Sequence, residues 1–337
     1  MDDSDGFLDW LPAACRHVTI AIASVLIATT LGVHVRAGMM RADPQAVATR
    51  MRNVNLHIGM GIEVHIEDLG GRMSSRLPGT LPVFDDPDSY VIDIDDARLS
   101  MTAESVTHLM NNYVFAYPGA PFTNLKVTME NGELTQSGTM HKGIGVPFTM
   151  RTTVTATRDG KIRLHPTTMK AAGLISKRLL DFFGLTLDRF ITFKPASPLT
   201  MDGDDLLLDP ERLLPPPRIR GRLTRVAIED GRLVEYFGDG DPGRHGVAPP
   251  DRHLSNYMYF RGGTLRFGKL TMDDTDLLLI DADPKGSFEF SPLQYNEQLV
   301  AGYSKNTISH GLIVYMPSMS TLARGTSGGL TPAATGR

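Results

Sequence analysis

From Ile144 to Ala156 residues alternate between an even set that is apolar except for Thr152 and an odd set of Gly, Pro and polar residues. Ile144, Val146, Phe148, Met150 and Val154 take even positions, against Gly145, Thr149, Arg151, Thr153 and Thr155 on odd ones. A second run behaves alike, with Leu56, Ile58, Met60, Ile62, Val64 and Ile66 set against Asn55, His57, Glu63, His65 and Glu67. A period of two marks a strand with one apolar and one wetted face. Each run is about twice the usual strand length of roughly 5–6 residues. At about 3.3 Å per residue they predict strands of roughly 35–40 Å in a large curved antiparallel sheet. The apolar face of such a sheet needs a cover, which a helix, a lipid or both can supply.

Further elements follow from the same reading. Tyr90 to Met101 alternates again, and Thr102 can cap a helix carrying Val106, Leu109, Met110, Tyr113 and Val114 on one side. Pro118 and Pro121 stop it. Asn131-Gly132, Asp159-Gly160 and Asp230-Gly231 each predict a type I′ hairpin turn, because these pairs tolerate positive φ. Thr168 to Ile191 is apolar round most of a helical circumference, with Leu179, Phe182 and Phe183 among its largest side chains. Such a helix is buried, and it suits the concave face of the sheet. Beyond Pro215-Pro216-Pro217, strands are expected near 219–228, 232–237, 257–260, 264–272, 277–281 and 311–316.

The fold class expected is α+β: a long, curved antiparallel sheet wrapped on one or two helices, with a second mostly-β unit. The chain then divides into a tail (1–17), a membrane anchor or signal segment (18–35), a linker (36–54), a long-strand domain (55–200), a second β-rich unit (201–317) and a disordered tail (318–337).

Composition narrows the function classes. A net charge of −4 over 337 residues argues against nucleic-acid binding by bulk electrostatics. Gly 33 and Pro 22 suit a turn-rich β protein, and 17 Met suit either irregular core filling or an adaptable apolar surface. Cys15 is the single cysteine, so no intrachain disulfide forms. Val18 to Val33 is uncharged and apolar, a little short for a spanning helix and long for a signal core. An uncleaved anchor, a cleaved signal ending at Val35-Arg-Ala37 and a buried core helix all remain open. The Arg residues after this run place the globular part inside by the positive-inside rule, whereas a signal or signal-anchor exports it. Export to the cell envelope is the expectation, with secretion or a periplasmic location as the alternative.

Candidate chemistry is thin. Gly238-Asp-Gly-Asp-Pro-Gly243 has dinucleotide-motif spacing, but Arg244-His-Gly-Val-Ala-Pro-Pro cannot open the helix that motif requires. Leu277-Leu-Leu-Ile-Asp281-Ala-Asp283 ends an apolar strand in paired carboxylates, in what reads as an antiparallel setting without further magnesium ligands. Asp93-Ile-Asp95-Asp96 reads the same way. On one strand, His57 and His65 would lie roughly 26 Å apart, too far to share a metal. No enzyme, cofactor or metal site is expected. Arg218, Arg220 and Arg222 alternate along one face, either to meet anionic headgroups or as a solvated stripe paired with Glu229 and Asp230.

Three stretches carry a family likeness: Asn124 to Met140 around Glu130-Asn-Gly-Glu-Leu134, then Gly145-Val-Pro-Phe148, then Asp159-Gly-Lys-Ile-Arg-Leu164. They resemble LmeA-type bacterial phospholipid-binding proteins, which are similar in shape to tubular lipid-binding (TULIP-like) folds. The resemblance covers about residues 55–195 and implies a lipid or other apolar ligand with no catalytic residues. The lining it implies is Ile58, Met60, Ile62, Val64, Ile144, Val146, Phe148, Met150, Leu179, Phe182 and Phe183. The expected function is lipid binding or handling in the cell envelope. A structural envelope protein filled by its own side chains, or an Asp-dependent phosphohydrolase, are the alternatives.

Overall fold

The run from Leu56 to Glu67 folds as two strands instead of one. In the computed structural model, β1 (Val47–Gly59) and β2 (Ile62–Ser75) meet at a tight turn of Met60 (φ 57°) and Gly61 (φ 75°). Cross-strand partners are Val54 with Ile66, Leu56 with Val64 and His57 with Glu63. Partners therefore share odd or even parity, so the alternation passes through the turn unbroken and hides it. His57 and His65 consequently face the same way from adjacent strands, which corrects the separation that a single strand implies. The strand also begins earlier than expected, since 47–54 is not linker. Its inward positions change from odd (Val47, Thr49, Met51) to even (Val54, Ile58) across Asn53, a left-handed residue at φ 49°.

The structure describes residues 46–142, 144–171, 175–176, 193, 197–239, 247–283, 285–308, 311–319 and 321–322. The fold is α+β and dominated by strands. β3 (Tyr90–Thr102) pairs with β2 and leads into α1 (Ala103–Leu109) and a π-helical turn, Met110–Val114. Thr102 caps α1, its hydroxyl accepting the Ser105 N–H at 3.1 Å. β4 (Phe122–Glu130), β5 (Glu133–Lys142), β6 (Ile144–Ala156) and β7 (Ile162–Ala171) form an antiparallel meander. β8 (Ile175–Ser176), β9 (Leu199–Asp202) and β10 (Asp205–Leu208) complete this sheet in the order β4-β5-β6-β7-β10-β9, with β8 beside β7. Thr168 to Ala171 is therefore strand. Met169 and Ala171 are buried while Thr168 and Lys170 are exposed, an alternation that pairing with β6 satisfies. The rest of the expected helix, including Leu179, Phe182 and Phe183, lies outside the described residues.

After α2 (Pro210–Leu213) come β11 (Arg218–Arg220), β12 (Leu223–Glu229), β13 (Arg232–Phe237) and β14 (Tyr257–Arg261). β15 (Thr264–Phe267) and β16 (Leu270–Asp273) make a separate hairpin where one strand was expected. Then follow β17 (Asp276–Asp281), β18 (Phe288–Phe290), α3 (Tyr295–Ala301), β19 (Tyr303–Asn306) and β20 (Leu312–Met316). The larger sheet runs β12-β13-β3-β2-β1-β14-β17-β20-β19, with β11 parallel to β3 and β18 parallel to β1. β17 pairs antiparallel with β14 but parallel with β20, so Asp281 does not end a purely antiparallel strand.

Pairing crosses the division expected at 200/201. β14 joins β1, β13 joins β3 and β10 joins β7. Residues 43–337 gather as one contact unit. One apolar core takes side chains from both sheets, and α1 packs on β2, β3 and β4. A second cluster of Tyr257, Tyr259, Leu278 and Ile280 covers the other face of β14 and β17. The unbroken apolar run Leu277–Ile280 reflects burial on both faces. Ser318, expected in a disordered tail, is 6% exposed. Its hydroxyl donates to Asp281 Oδ2 at 3.2 Å and accepts the Glu289 N–H at 3.3 Å, tying it to the sheet.

One close approach gives a test of this packing. At the β2–β3 irregularity, a Cβ on Gly71 would sit 2.2 Å from the backbone oxygen of Asp93. Only backbone movement relieves that clash. Gly71→Ala is expected to lose about 1–3 kcal/mol, as overpacking does. Chemical denaturation should read this as a lowered midpoint, and an unchanged midpoint would refute the close approach.

Candidate functional site

The inward residues of the two sheets face each other across an apolar seam. Val64 and Met101 come from the larger sheet, Leu109 from α1, and Met150, Leu164 and Leu206 from the smaller one. They enclose a cavity of about 50 Å³. A second void of about 40 Å³, bounded by Met51, Ile58, Ile66 and Ile219, shares Val64 and Leu214 in its wall. A water needs roughly 10–15 Å³ by this measure, whereas small-molecule pockets run to about 300–1,000 Å³. The seam is thus nearly filled by its own side chains.

Three polar residues interrupt the apolar lining, and of these Glu235 is the buried one. Along β13, Leu233, Glu235 and Phe237 face the core, while Arg232 and Tyr236 face outward and bond Ser100 and Glu229 respectively. Glu235 is 8% exposed, and its side chain contributes to the cavity wall. No described residue gives it a hydrogen bond or ion pair. Burial pushes its pKa up to about 7, because the charged form has lost water and gained no partner among the described residues. Gln136 and Asp204 also line this cavity.

The expected lining residues divide. Val64 and Met150 border the larger cavity, and Ile58 and Val64 the smaller. Ile62 (1% exposed) and Phe148 (4%) are core, with Phe148 packed on Phe122 at a ring distance of 5.2 Å. Val146 is half-buried against the same core. Ile144 opens β6. Met60 is a correction: it is 48% exposed at the tip of the β1–β2 turn, where the turn geometry removes it from the apolar face. Glu235 does not stand out in the sequence. Its signal is an acid at an inward position between Leu233 and Phe237, blurred because outward Val234 is apolar too.

The arginine stripe is shorter than expected. Arg218 and Arg220 lie in β11, whereas Arg222 lies beyond its end. Arg220 Nε donates to Asp93 Oδ1 at 3.0 Å. Nearby, Arg225 stacks over Tyr236 and pairs with Glu229. Asp281 and Asp283 serve as turn formers, accepting the backbone N–H groups of Asp283 and Lys285. His165 is held by Asp205 at 2.6 Å, and His141 by Thr123 at 2.9 Å. Among the described residues no helix is long and apolar enough to cross a membrane, and segment 18–35 lies outside them. No family model, curated protein or solved structure matches the chain.

Proposed function

We propose that the chain is a non-enzymatic binding protein for an amphiphile whose apolar body enters the seam between the sheets and whose polar end meets Glu235. The observation that carries this reading is the buried carboxyl of Glu235, without a partner among the described residues, in a mostly apolar wall. A polar group buried without a hydrogen bond costs about 1–3 kcal/mol by mutational measures. A core that serves packing alone gains nothing from keeping it. A ligand hydroxyl or amine would supply the missing donor. Entry requires the seam to widen, and Val64 and Leu214, common to both voids, are the side chains whose rotation would merge them.

The small volume supports a second reading, a scaffold of the envelope whose core is complete as it stands. Native mass spectrometry of the purified full chain separates the two. Co-purified lipid that is retained by wild type and lost in Glu235→Leu supports binding. A bare wild-type mass, with no displacement of a fluorescent fatty-acid probe, supports the scaffold.

The proposed membrane attachment has its own test. The contact unit begins at Asp43 and its first strand at Val47. Deleting residues 1–36 is therefore expected to give a soluble protein with the wild-type circular dichroism spectrum, while full-length protein partitions with membranes. An aggregating truncation beside soluble full-length chain would assign the apolar segment to the core instead.

A further inference from the structure

Three outward side chains on neighbouring strands converge at the β1–β2 hairpin. His57 on β1 stands opposite Glu63 on β2, and β18 brings Glu289 alongside from the other flank of β1. His57 Nε2 lies 2.6 Å from Glu289 Oε2, and Nδ1 lies 3.8 Å from Glu63 Oε2. One donor atom from each residue falls within 4.8 Å of the others. We infer that His57, Glu63 and Glu289 form a binding site for a divalent transition-metal ion of the Zn²⁺ class.

The surroundings orient these donors. Asn55 Nδ2 donates to Glu289 Oε1, and Asn55 Oδ1 takes a hydrogen bond from His65 Nδ1 at 2.6 Å, which assigns the His65 proton to that nitrogen. Ser105 on α1 fixes Glu63 through both backbone groups, its hydroxyl accepting the N–H at 2.7 Å and donating to the C=O at 2.6 Å. The turn itself is docked, with His108 Nδ1 hydrogen-bonded to Gly61 O and Asn112 to Met60 O, each at 2.9 Å. Outer-shell partners of this kind are what hold metal ligands in place.

Charge and donor type agree on the class of ion. Two carboxylates beside a neutral imidazole carry two negative charges, which a dication neutralises. An imidazole with two carboxylates suits Zn²⁺ or a neighbouring transition ion, whereas magnesium and calcium favour oxygen alone. Bonds of about 2.0–2.2 Å place tetrahedral ligands roughly 3.3 Å apart. The His57–Glu289 contact must therefore open by about 0.7 Å as the ion replaces the shared proton. A recess of about 340 Å³ lined by His57, Glu63, Glu104 and His108 adjoins the cluster and leaves room for a water in the fourth position.

The competing account is a histidine bridging two carboxylates with no ion. Isothermal titration of the full chain with Zn²⁺, and the visible spectrum with Co²⁺, decide between them. Wild type is expected to bind with one site dependent on His57, with a raised melting temperature and Co²⁺ d–d bands. His57→Ala and Glu289→Gln should each remove that binding while keeping the wild-type circular dichroism spectrum. Asn55→Ala should weaken it by about 10–100-fold. His165→Ala, at the separate Asp205 pair, should leave it intact. Should any ligand variant fold poorly, Glu63→Gln replaces it in the same titration. Absence of Zn²⁺ binding by wild type, or binding of equal strength in His57→Ala and Glu63→Gln, would overturn the site.

Discussion

Phe148→Asp is expected to abolish cooperative folding. Phe148 is 4% exposed at the centre of the smaller sheet, opposite Gly138 on β5 and Ala171 on β7. Its ring tilts against Phe122, which in turn meets Phe115 edge-on at 5.4 Å. Removing a buried Phe side chain costs about 3–5 kcal/mol. The aspartate then adds the several-kcal/mol penalty of a carboxylate with no described partner nearby. Together these approach or exceed a typical stability of about 5–15 kcal/mol. Phe148→Leu provides the comparison: it conserves apolar character and should melt cooperatively at a lower temperature. Wild-type-like melting of the aspartate variant would mean that Phe148 faces solvent and that β6 is displaced by one residue.

This prediction rests on a face that was legible in the sequence. β6 keeps one phase, with Phe148, Met150, Thr152 and Val154 buried and Thr149, Arg151 and Thr155 exposed, so counting by two was sufficient. Asn131-Gly132 and Asp230-Gly231 formed the positive-φ turns their chemistry favours. At Asp159-Gly160 only the glycine takes positive φ, at 80°, within a longer loop closed between Thr157 and Lys161. The failures have local causes. Even-sum pairing concealed the Met60-Gly61 turn, and the phase change at Asn53 concealed more than half of β1, residues 47–54. Larger errors concern partners. That β13 closes on β3 and β14 on β1 depends on contacts far apart along the chain, which no short window of alternation can specify. The convergence of His57, Glu63 and Glu289 depends on the same long-range pairing, and this is why histidine spacing alone excluded a shared site there.

Replacing Glu235 should change the pH dependence of stability more than the stability at acid pH. Burial raises its pKa from 4.5 to about 7, and that shift fixes the sign. Below about pH 4.5 the group is protonated in both folded and unfolded chains, and its contribution to stability is fully present. Between about pH 4.5 and 7 the unfolded chain releases the proton while the folded chain retains it, so stability falls as pH rises. Above about pH 7 the loss is complete, amounting to about 3 kcal/mol from 1.36 kcal/mol per unit. Glu235→Gln has no carboxyl to titrate. It should match wild type near pH 4.5 and exceed it by about 3 kcal/mol near pH 8. Taking the difference between the two proteins cancels groups common to both, among them His57, whose pKa Glu289 raises by hydrogen bonding, and Asp281, raised by burial. Urea denaturation at several pH values measures this difference directly. A difference that stays constant across the window would show that Glu235 ionises in contact with water. Loss of the wild-type pH slope when an amphiphile is added would place the polar end of that ligand at this carboxyl, because a bound donor stabilises the charged form that the empty seam disfavours.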